Sequence, residues 1–360
     1  MRVLIVYSYS GRGLKKDAQI LKAAVESHGH ECAILQLPPP RQWRRNLERI
    51  SFALLRRFTS ERFQRLYFRT LVRLSKLRKS ASPEELVVHL ENIQPTQLWK
   101  GHRHWLIPNQ EWFIGSRLPY LPDVDKVLGK TRLAVEIFEK LHPSTEFLGF
   151  TGDMAGHGMQ QEEKNYGLAL HVAGTSQFKG TQAILNCWQR HPEWPKLVVV
   201  SEQAPELPAN LPNIEIRKDI KQEELSALWA KAGFAIQPSE VEGYGQVLAE
   251  ALANGCVTIT TDAPPMNELV SPTFGFLARP AATQKFRLGT RYKVTDADLE
   301  TVIAGALTEP LDVLGKRSEL AREWSNTNHS NFLRRLGNFL NEQARQPSLL
   351  SEPMRPEKHR

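Results

Sequence analysis

Residues 234–269, FAIQPSEVEGYGQVLAEALANGCVTITTDAPPMNEL, constrain the fold more than any other stretch of the 360-residue chain. An apolar run at 234–236 breaks at Pro238. Glu242-Gly-Tyr-Gly245 then precedes Val247, Leu248, Ala251 and Leu252, which recur at helical spacing. Asn254-Gly255 closes that helix, and a second apolar run at 256–259 follows, so the stretch reads as a βαβ unit with parallel strands. Ligands of such units bind outside the carboxyl ends of the strands. Here that edge carries Glu242, Gly243, Gly245 and a helix start, where glycines admit close approach and first-turn N–H groups suit a phosphate. Glu250 lies eight residues after Glu242, roughly one to two turns into the helix, so two carboxylates can flank one elongated ligand.

The rest of the chain repeats the βα rhythm. Strands are expected at 3–7, 32–35, 85–90, 105–107, 126–128 and 146–150. A second series is expected at 166–173, 197–201, 214–217, 234–236 and 256–259. Helices are expected at 14–27, 131–141, 181–189, 223–232, 297–307, 312–324 and 331–344. The length suits two domains. Gly152, Gly156 and Gly158 fall where a hinge is wanted, and His157 among them has no partner at metal spacing. The first domain is therefore placed at 1–155, the second at 156–322, a final helix at 323–345 and a tail without core pattern at 346–360. Residues 3–6 are too short for a signal peptide or a membrane span. Three scattered cysteines outside any C-x-x-C pattern point to a reducing cytoplasm and no structural zinc.

Charge is concentrated. Residues 41–79 hold thirteen Arg or Lys against Glu48 and Glu61, a local +11 in a chain of net +8, so the remainder is slightly acidic. Phe63, Leu66, Tyr67, Leu71, Leu74 and Leu77 face one way on a helix there and Arg62, Arg65, Arg69, Arg73 and Lys76 the other, although Phe68 and Val72 interrupt the polar face. Three readings stay open: an anionic membrane surface, nucleic acid, or an apolar stripe packed on the domain with its arginines in water. No recognised RNA- or DNA-binding module accompanies the segment.

The central pattern resembles the retaining glycosyltransferases of the two-Rossmann GT-B architecture. The resemblance is to the large family whose members carry PS-x-x-EGFG-x-x-x-x-EA-x-A-x-G-x-P. Pro238, Ser239, Glu242, Gly243, Gly245, Glu250, Ala251 and Gly255 stand at matching positions, with Tyr244 for Phe and Val257 where Pro is common. The resemblance implies an α/β fold of two doubly wound domains facing a cleft. It also implies a nucleotide-diphosphate sugar as donor substrate and neither cofactor nor metal.

Glu242 would then act on the transferred sugar, Glu250 on the ribose, and Gly243, Tyr244 and Gly245 would hold the diphosphate. Relatives carry G-R-x-x-x-x-K-G after the first strand of the second domain. Lys179-Gly180 matches, but Thr175 stands in the arginine's place, so one cation is missing. The nucleotide base would lie near 218–221. Acceptor-side candidates are Gly11 and Gly13, in the turn after the first strand, and Asn109 and Glu111 in PNQEWF, where Asn109 can equally cap a helix. His89 sits where a histidine often reaches the sugar, yet VVHLE fits a hydrogen-bonded core residue better. The acceptor would be a sugar or a lipid-linked hydroxyl met at the inner face of the membrane. Two rival functions are a non-catalytic GT-B binding protein, suggested by Thr175, and a nucleic-acid-binding or -modifying protein using 41–79.

Overall fold

Two six-stranded parallel sheets, each covered by helices, build the protein. The structure is a computed structural model, and it describes residues 1–8, 11–38, 42–60, 63, 66–68, 70–71, 84–152, 163–203 and 211–345. Gly156, His157, Gly158, the expected domain boundary at 155, the basic residues at 62–79 and the tail at 346–360 lie outside them.

The first sheet runs β2-β1-β3-β4-β5-β6. Its strands are β1 (Arg2–Ser8), β2 (Glu31–Leu37), β3 (Glu84–Glu91), β4 (Gly101–Pro108), β5 (Lys126–Gly129) and β6 (Thr145–Phe147). Val3, Ile5 and Val6 are buried and pair with β2 on one side and β3 on the other, as a central parallel strand covered on both faces requires. His89, on β3, is also buried. Its Nδ1 accepts from the Gln94 N–H at 3.1 Å, so its Nε2 carries the proton and donates to His104 Nδ1 at 3.2 Å. Both rings are thereby occupied inside the core.

The second sheet runs β12-β11-β10-β7-β8-β9. It comprises β7 (Asn165–Gly174), β8 (Lys196–Ser201), β9 (Ile214–Arg217), β10 (Ala232–Gln237), β11 (Val257–Thr261) and β12 (Gly275–Ala278). The strand order reverses at β7 and β10, so the loops after these two strands form the crevice at which such sheets bind ligands. An antiparallel hairpin, β13 (Ala282–Phe286) and β14 (Gly289–Lys293), had no counterpart in the sequence reading, because its exposed strands lack an apolar stripe.

Two helices differ from expectation. Helix α1 (Arg12–Ser27) starts two residues early, which puts Gly13 in its first turn and leaves Gly11 just before it. The two helices expected at 312–324 and 331–344 are one, α9 (Leu311–Arg345). The polar run between them stays helical because it is held from outside. Asn328 Nδ2 donates to the Phe150 carbonyl at 2.8 Å, and His329 Nδ1 lies 3.2 Å from Thr151 Oγ1. Tertiary contacts here outweigh weak intrinsic propensity. Phe332, Leu336 and Leu340 then bury against the first domain, and Arg335 Nε donates to the Leu148 carbonyl at 2.6 Å. One apolar core runs from Ile5 and Leu14 through these residues to Leu248 and Leu252, so the domain interface is packed.

Candidate active site

The site lies where the crevice of one sheet faces that of the other. From the second domain come the loop after β7, with Thr175 and Lys179, and the loop after β10, with Glu242, Gly243, Tyr244 and Gly245. The latter leads into α6 (Gln246–Ala253), after α2 (Gln42–Phe58), α3 (Arg132–Phe138), α4 (Thr181–Arg190) and α5 (Gln222–Lys231). From the first domain come α1 and the turn after β4.

Lys179 Nζ donates to Glu242 Oε1, and both side chains are mostly buried. The Glu242 carbonyl accepts from Gln110 Nε2 of the first domain at 2.9 Å. Gly243 is required by close approach: a Cβ there would lie 2.6 Å from Glu111 Oε1 and 2.7 Å from Asn109 Cγ. Gly245 has φ 104°, a left-handed conformation that favours glycine, and it sets the start of α6. First-turn N–H groups of α6 have no partner within the helix and point toward the loop.

The other candidates lie around this loop. Tyr244 turns inward: its side chain is buried beside Phe150, and its hydroxyl donates to the Phe150 carbonyl at 2.8 Å, so only its backbone remains on the ligand side. Glu250 is buried, and its Oε1 accepts from Lys16 Nζ of α1 at 2.7 Å. Thr175 is exposed just past β7. Asn109 caps no helix; its Oδ1 accepts from Lys130 Nζ at 3.0 Å. Lys130 is fully buried and pairs with Asp17, whose other oxygen accepts from Gln246 Nε2 at 2.7 Å. A chain of charged and amide groups therefore crosses the domain interface from Asn109 to α6. Lys16, Asp17, Lys130, Gln110 and Gln246 carried no signal in the sequence, since their partners are remote along the chain.

Glu111 is the most unusual group. It is buried, and its Oε2 finds no hydrogen-bond partner among the described residues. Burial, with the Glu242 and Glu91 charges adding to it, raises its pKa from 4.5 to about 8. The folded protein thus holds a neutral carboxylic acid at neutral pH next to the Glu242 loop. Between these two values the unfolded chain has released a proton that the fold keeps, so stability falls as pH rises. Glu111→Gln is expected to abolish a loss of roughly 2 kcal/mol between pH 6 and pH 8. Denaturant titrations at the two pH values measure it, and equal slopes against pH in wild type and variant would refute it.

Beyond Glu111, Trp112, Phe178 and Phe286 form a ring cluster with centroids 5.2 to 6.2 Å apart at the cleft's edge. The hairpin tip closes on it, with Arg287 4.9 Å over the Trp112 ring and donating to the Trp112 carbonyl at 2.8 Å. A further bridge between domains comes from Glu268 on α7 (Met266–Leu269), which accepts from the Arg132 and Leu133 N–H groups at the start of α3, at 2.6 and 2.9 Å. Among the described residues, no group of three or more His, Cys, Asp or Glu could hold a metal ion. Helix α8 (Asp296–Leu307) packs on the far side of the second sheet, away from the cleft.

Residues 160–306 match the model of the family described as Glycosyl transferases group 1. No curated protein sequence matches the chain. Among solved structures, sucrose-phosphate synthase from Thermosynechococcus elongatus superposes with a TM-score of 0.63 at 13% identity, over 95% of this chain and 98% of that one. The UDP-forming α,α-trehalose-phosphate synthase from Burkholderia vietnamiensis gives 0.61 at 11%, over 96% and 100%. Anabaena HepE, in complex with UDP and glucose, gives 0.60 at 12%, over 94% and 99%. The fold is GT-B, and the second domain carries the group 1 glycosyltransferase pattern.

Proposed function

We propose that the protein is a retaining glycosyltransferase that moves a sugar from a nucleotide-diphosphate sugar to a hydroxyl acceptor. One observation carries the reading: Lys179, Glu242 and the start of α6 meet at the switch point of the second sheet, directly opposite Asn109 and Glu111 of the first. The diphosphate would lie against Lys179 and the α6 N–H groups, and Glu250 would take the ribose. Glu242 would stabilise the sugar as positive charge develops at its anomeric carbon.

The acceptor hydroxyl would enter from the first domain, beside Asn109 and Glu111, with Gly11 and Gly13 on the same wall. Its oxygen bonds to the anomeric carbon on the face from which the phosphate departs, the carbon–phosphate-oxygen bond breaks, and the departing phosphate takes the hydroxyl proton. Configuration is retained, and neither metal nor organic cofactor enters the scheme. UDP is the first probe, because HepE holds it. A rise in melting temperature with UDP, GDP or ADP tests donor binding. Lys179→Ala and Glu250→Gln should each weaken it by about 1.5–3 kcal/mol, the worth of a charge-assisted contact. Unchanged affinity of both variants by calorimetry would remove these residues from the donor site.

A lipid-linked acceptor, met at an anionic membrane through residues 41–79, completes the proposal. Helix α2 supports it: Trp43, Ile50, Leu54 and Phe58 lie exposed along one face, while Phe52 and Leu55 pack against the domain. Phe68, which interrupted the polar face in the sequence, is buried between Phe52 and Tyr120. Among the described residues no helix is long and apolar enough to cross a membrane. A helix lying in the headgroup boundary needs only an apolar face and nearby cations, each basic residue adding about 1 kcal/mol. Replacing Trp43 and Phe58 by Ser should reduce co-sedimentation with anionic liposomes at least ~10-fold. Wild-type protein that stays in the supernatant at low salt would end the membrane reading.

A further inference from the structure

Gln110 and Glu111, on the turn after β4, are 1% and 4% exposed, and each keeps one side-chain oxygen, Oε1 of the first and Oε2 of the second, without a hydrogen-bond partner among the described residues. A buried polar atom left unpaired is costly, so two on adjacent residues ask for a reason. What covers them is the hairpin β13–β14 of the other domain. A Cβ at Gly289, beside its turn, would lie 3.5 Å from Gln110 Cγ and 3.9 Å from Glu111 Cα, so the hairpin backbone rests on both residues. At the tip, Leu288 packs against the first domain's apolar cluster around Phe113 and Phe138, and Arg287 lies over the Trp112 ring. The base is tied to the Glu242 loop: the Tyr292 N–H donates to the Glu240 carbonyl at 2.7 Å, and Arg291 pairs with the Glu240 carboxylate. Between tip and base, residues 282–285 are exposed, and the two strands pair with no third among the described residues. A hairpin anchored at its base and resting on its tip can lift without opening either large sheet.

Lifting the tip would bare three groups side by side: Gln110 Oε1, Glu111 Oε2 and the ring of Trp112, which is already 37% exposed. An amide oxygen accepts a hydrogen bond, and a neutral carboxylic acid both accepts and donates. The indole offers an apolar face with negative charge density. A pyranose ring matches all three, because it carries hydroxyls around its edge and a face of C–H groups with slight positive charge. An alkyl chain would suit the indole and leave both oxygens unpaired.

We propose that β13–β14 is a strap over an acceptor subsite for a carbohydrate ring, formed by Gln110, Glu111 and Trp112. In the free protein the strap is down and Arg287 covers the indole. An incoming carbohydrate lifts it, takes the place of Arg287 on the Trp112 ring and sets hydroxyls on the two buried oxygens, beside the Glu242 loop. The first domain thus supplies the groups that read the acceptor, and the second supplies the strap that closes over it. The inference rests on the glycosyl-transfer reading above and names the acceptor class for that site.

An array of immobilised mono- and oligosaccharides, probed with the full chain in the presence of UDP, tests it. Wild type should be retained on a subset of the sugars. Trp112→Ala should bind that subset at least about 10-fold more weakly, as truncation of a central aromatic does, whereas Trp112→Tyr keeps a ring and should stay within a few-fold. Arg287→Ala separates a subsite from a simple clamp between domains. If Arg287 competes with the sugar for the indole, its removal raises the share of protein ready to bind and should strengthen retention by about 3- to 10-fold. If the tip only pins the domains together, Arg287→Ala should lose retention as Trp112→Ala does. A fall or no change in Arg287→Ala therefore overturns the strap. Full retention in Trp112→Ala, or no retention of wild type on any sugar, overturns the subsite. Melting shifts with UDP should be alike in wild type and all three variants, since none of the changes touches Lys179 or the start of α6. Wild type that shows no shift with UDP, GDP or ADP would end the donor reading, an outcome read separately from the array.

Discussion

Glu242→Gln is expected to lower turnover by about 100-fold or more while changing UDP affinity by less than about threefold. The substitution removes a charge and keeps the shape, so the loop should hold. Gln110 anchors the backbone carbonyl of residue 242, Gly243 stays wedged against Asn109 and Glu111, and a glutamine oxygen can still accept from Lys179. What is lost is a negative charge beside the carbon where positive charge develops, an interaction stronger in the transition state than in the bound ground state. Such a loss appears in kcat and leaves binding of the product nucleotide nearly unchanged. Steady-state rates with a donor sugar, set against calorimetry with UDP, separate the two effects. Near-normal turnover in Glu242→Gln would remove the residue from the chemistry, and a parallel loss of rate and UDP affinity would make it a nucleotide-binding group instead.

The parts of the site legible in the sequence are those built by one short segment. Pro238 to Gly255 form a strand end, a turn and a helix whose positions are fixed by local spacing, so Glu242, Gly243 and Gly245 could be placed on the loop without coordinates. The parallel strands were readable for the same reason, since Val3–Val6 and Phe234–Ile236 are buried on both faces and leave continuous apolar runs. Glu111 could be suspected only from its place after β4. That it is buried and neutral depends on Gly243 and Glu242 of the other domain.

Contacts between domains left no trace. Lys16 and Asp17 look like the polar face of an ordinary helix until α6, 230 residues away, is laid against them. The direction of the Tyr244 side chain was not legible either. Its place inside the motif puts its backbone on the loop, while its ring, large and apolar, goes to the shared core. The hairpin at 282–293 and the continuity of α9 were missed because both are set by tertiary contacts and neither shows a periodic apolar pattern.

The pairing of Asp17 with Lys130 leads to the largest stability effect expected in this protein. Lys130 has no exposed side-chain surface, and besides Asp17 it meets Asn109 Oδ1 at 3.0 Å and the Phe150 ring at 4.7 Å, with the Glu111 carboxyl acting on it from further off. Asp17→Ala strands an ammonium where water does not reach, and breaking a buried pair from one side typically costs 3–5 kcal/mol. It also releases Gln246, and with it one tie between α1 and α6. Asp17→Asn keeps an acceptor for the ammonium and should cost visibly less.

Removing both charges together should be milder than Asp17→Ala alone, because much of the single-mutant penalty belongs to the charge left behind and not to the pair itself. Asp17→Leu with Lys130→Met, measured by denaturant unfolding beside the single variants, closes that comparison. The expected order of stability is wild type or the double variant highest, then Asp17→Asn, then Asp17→Ala. A loss below about 1 kcal/mol in Asp17→Ala would mean that Lys130 finds water or another anion once Asp17 is gone, and the bridge from Asn109 to α6 would then not hold the domains together.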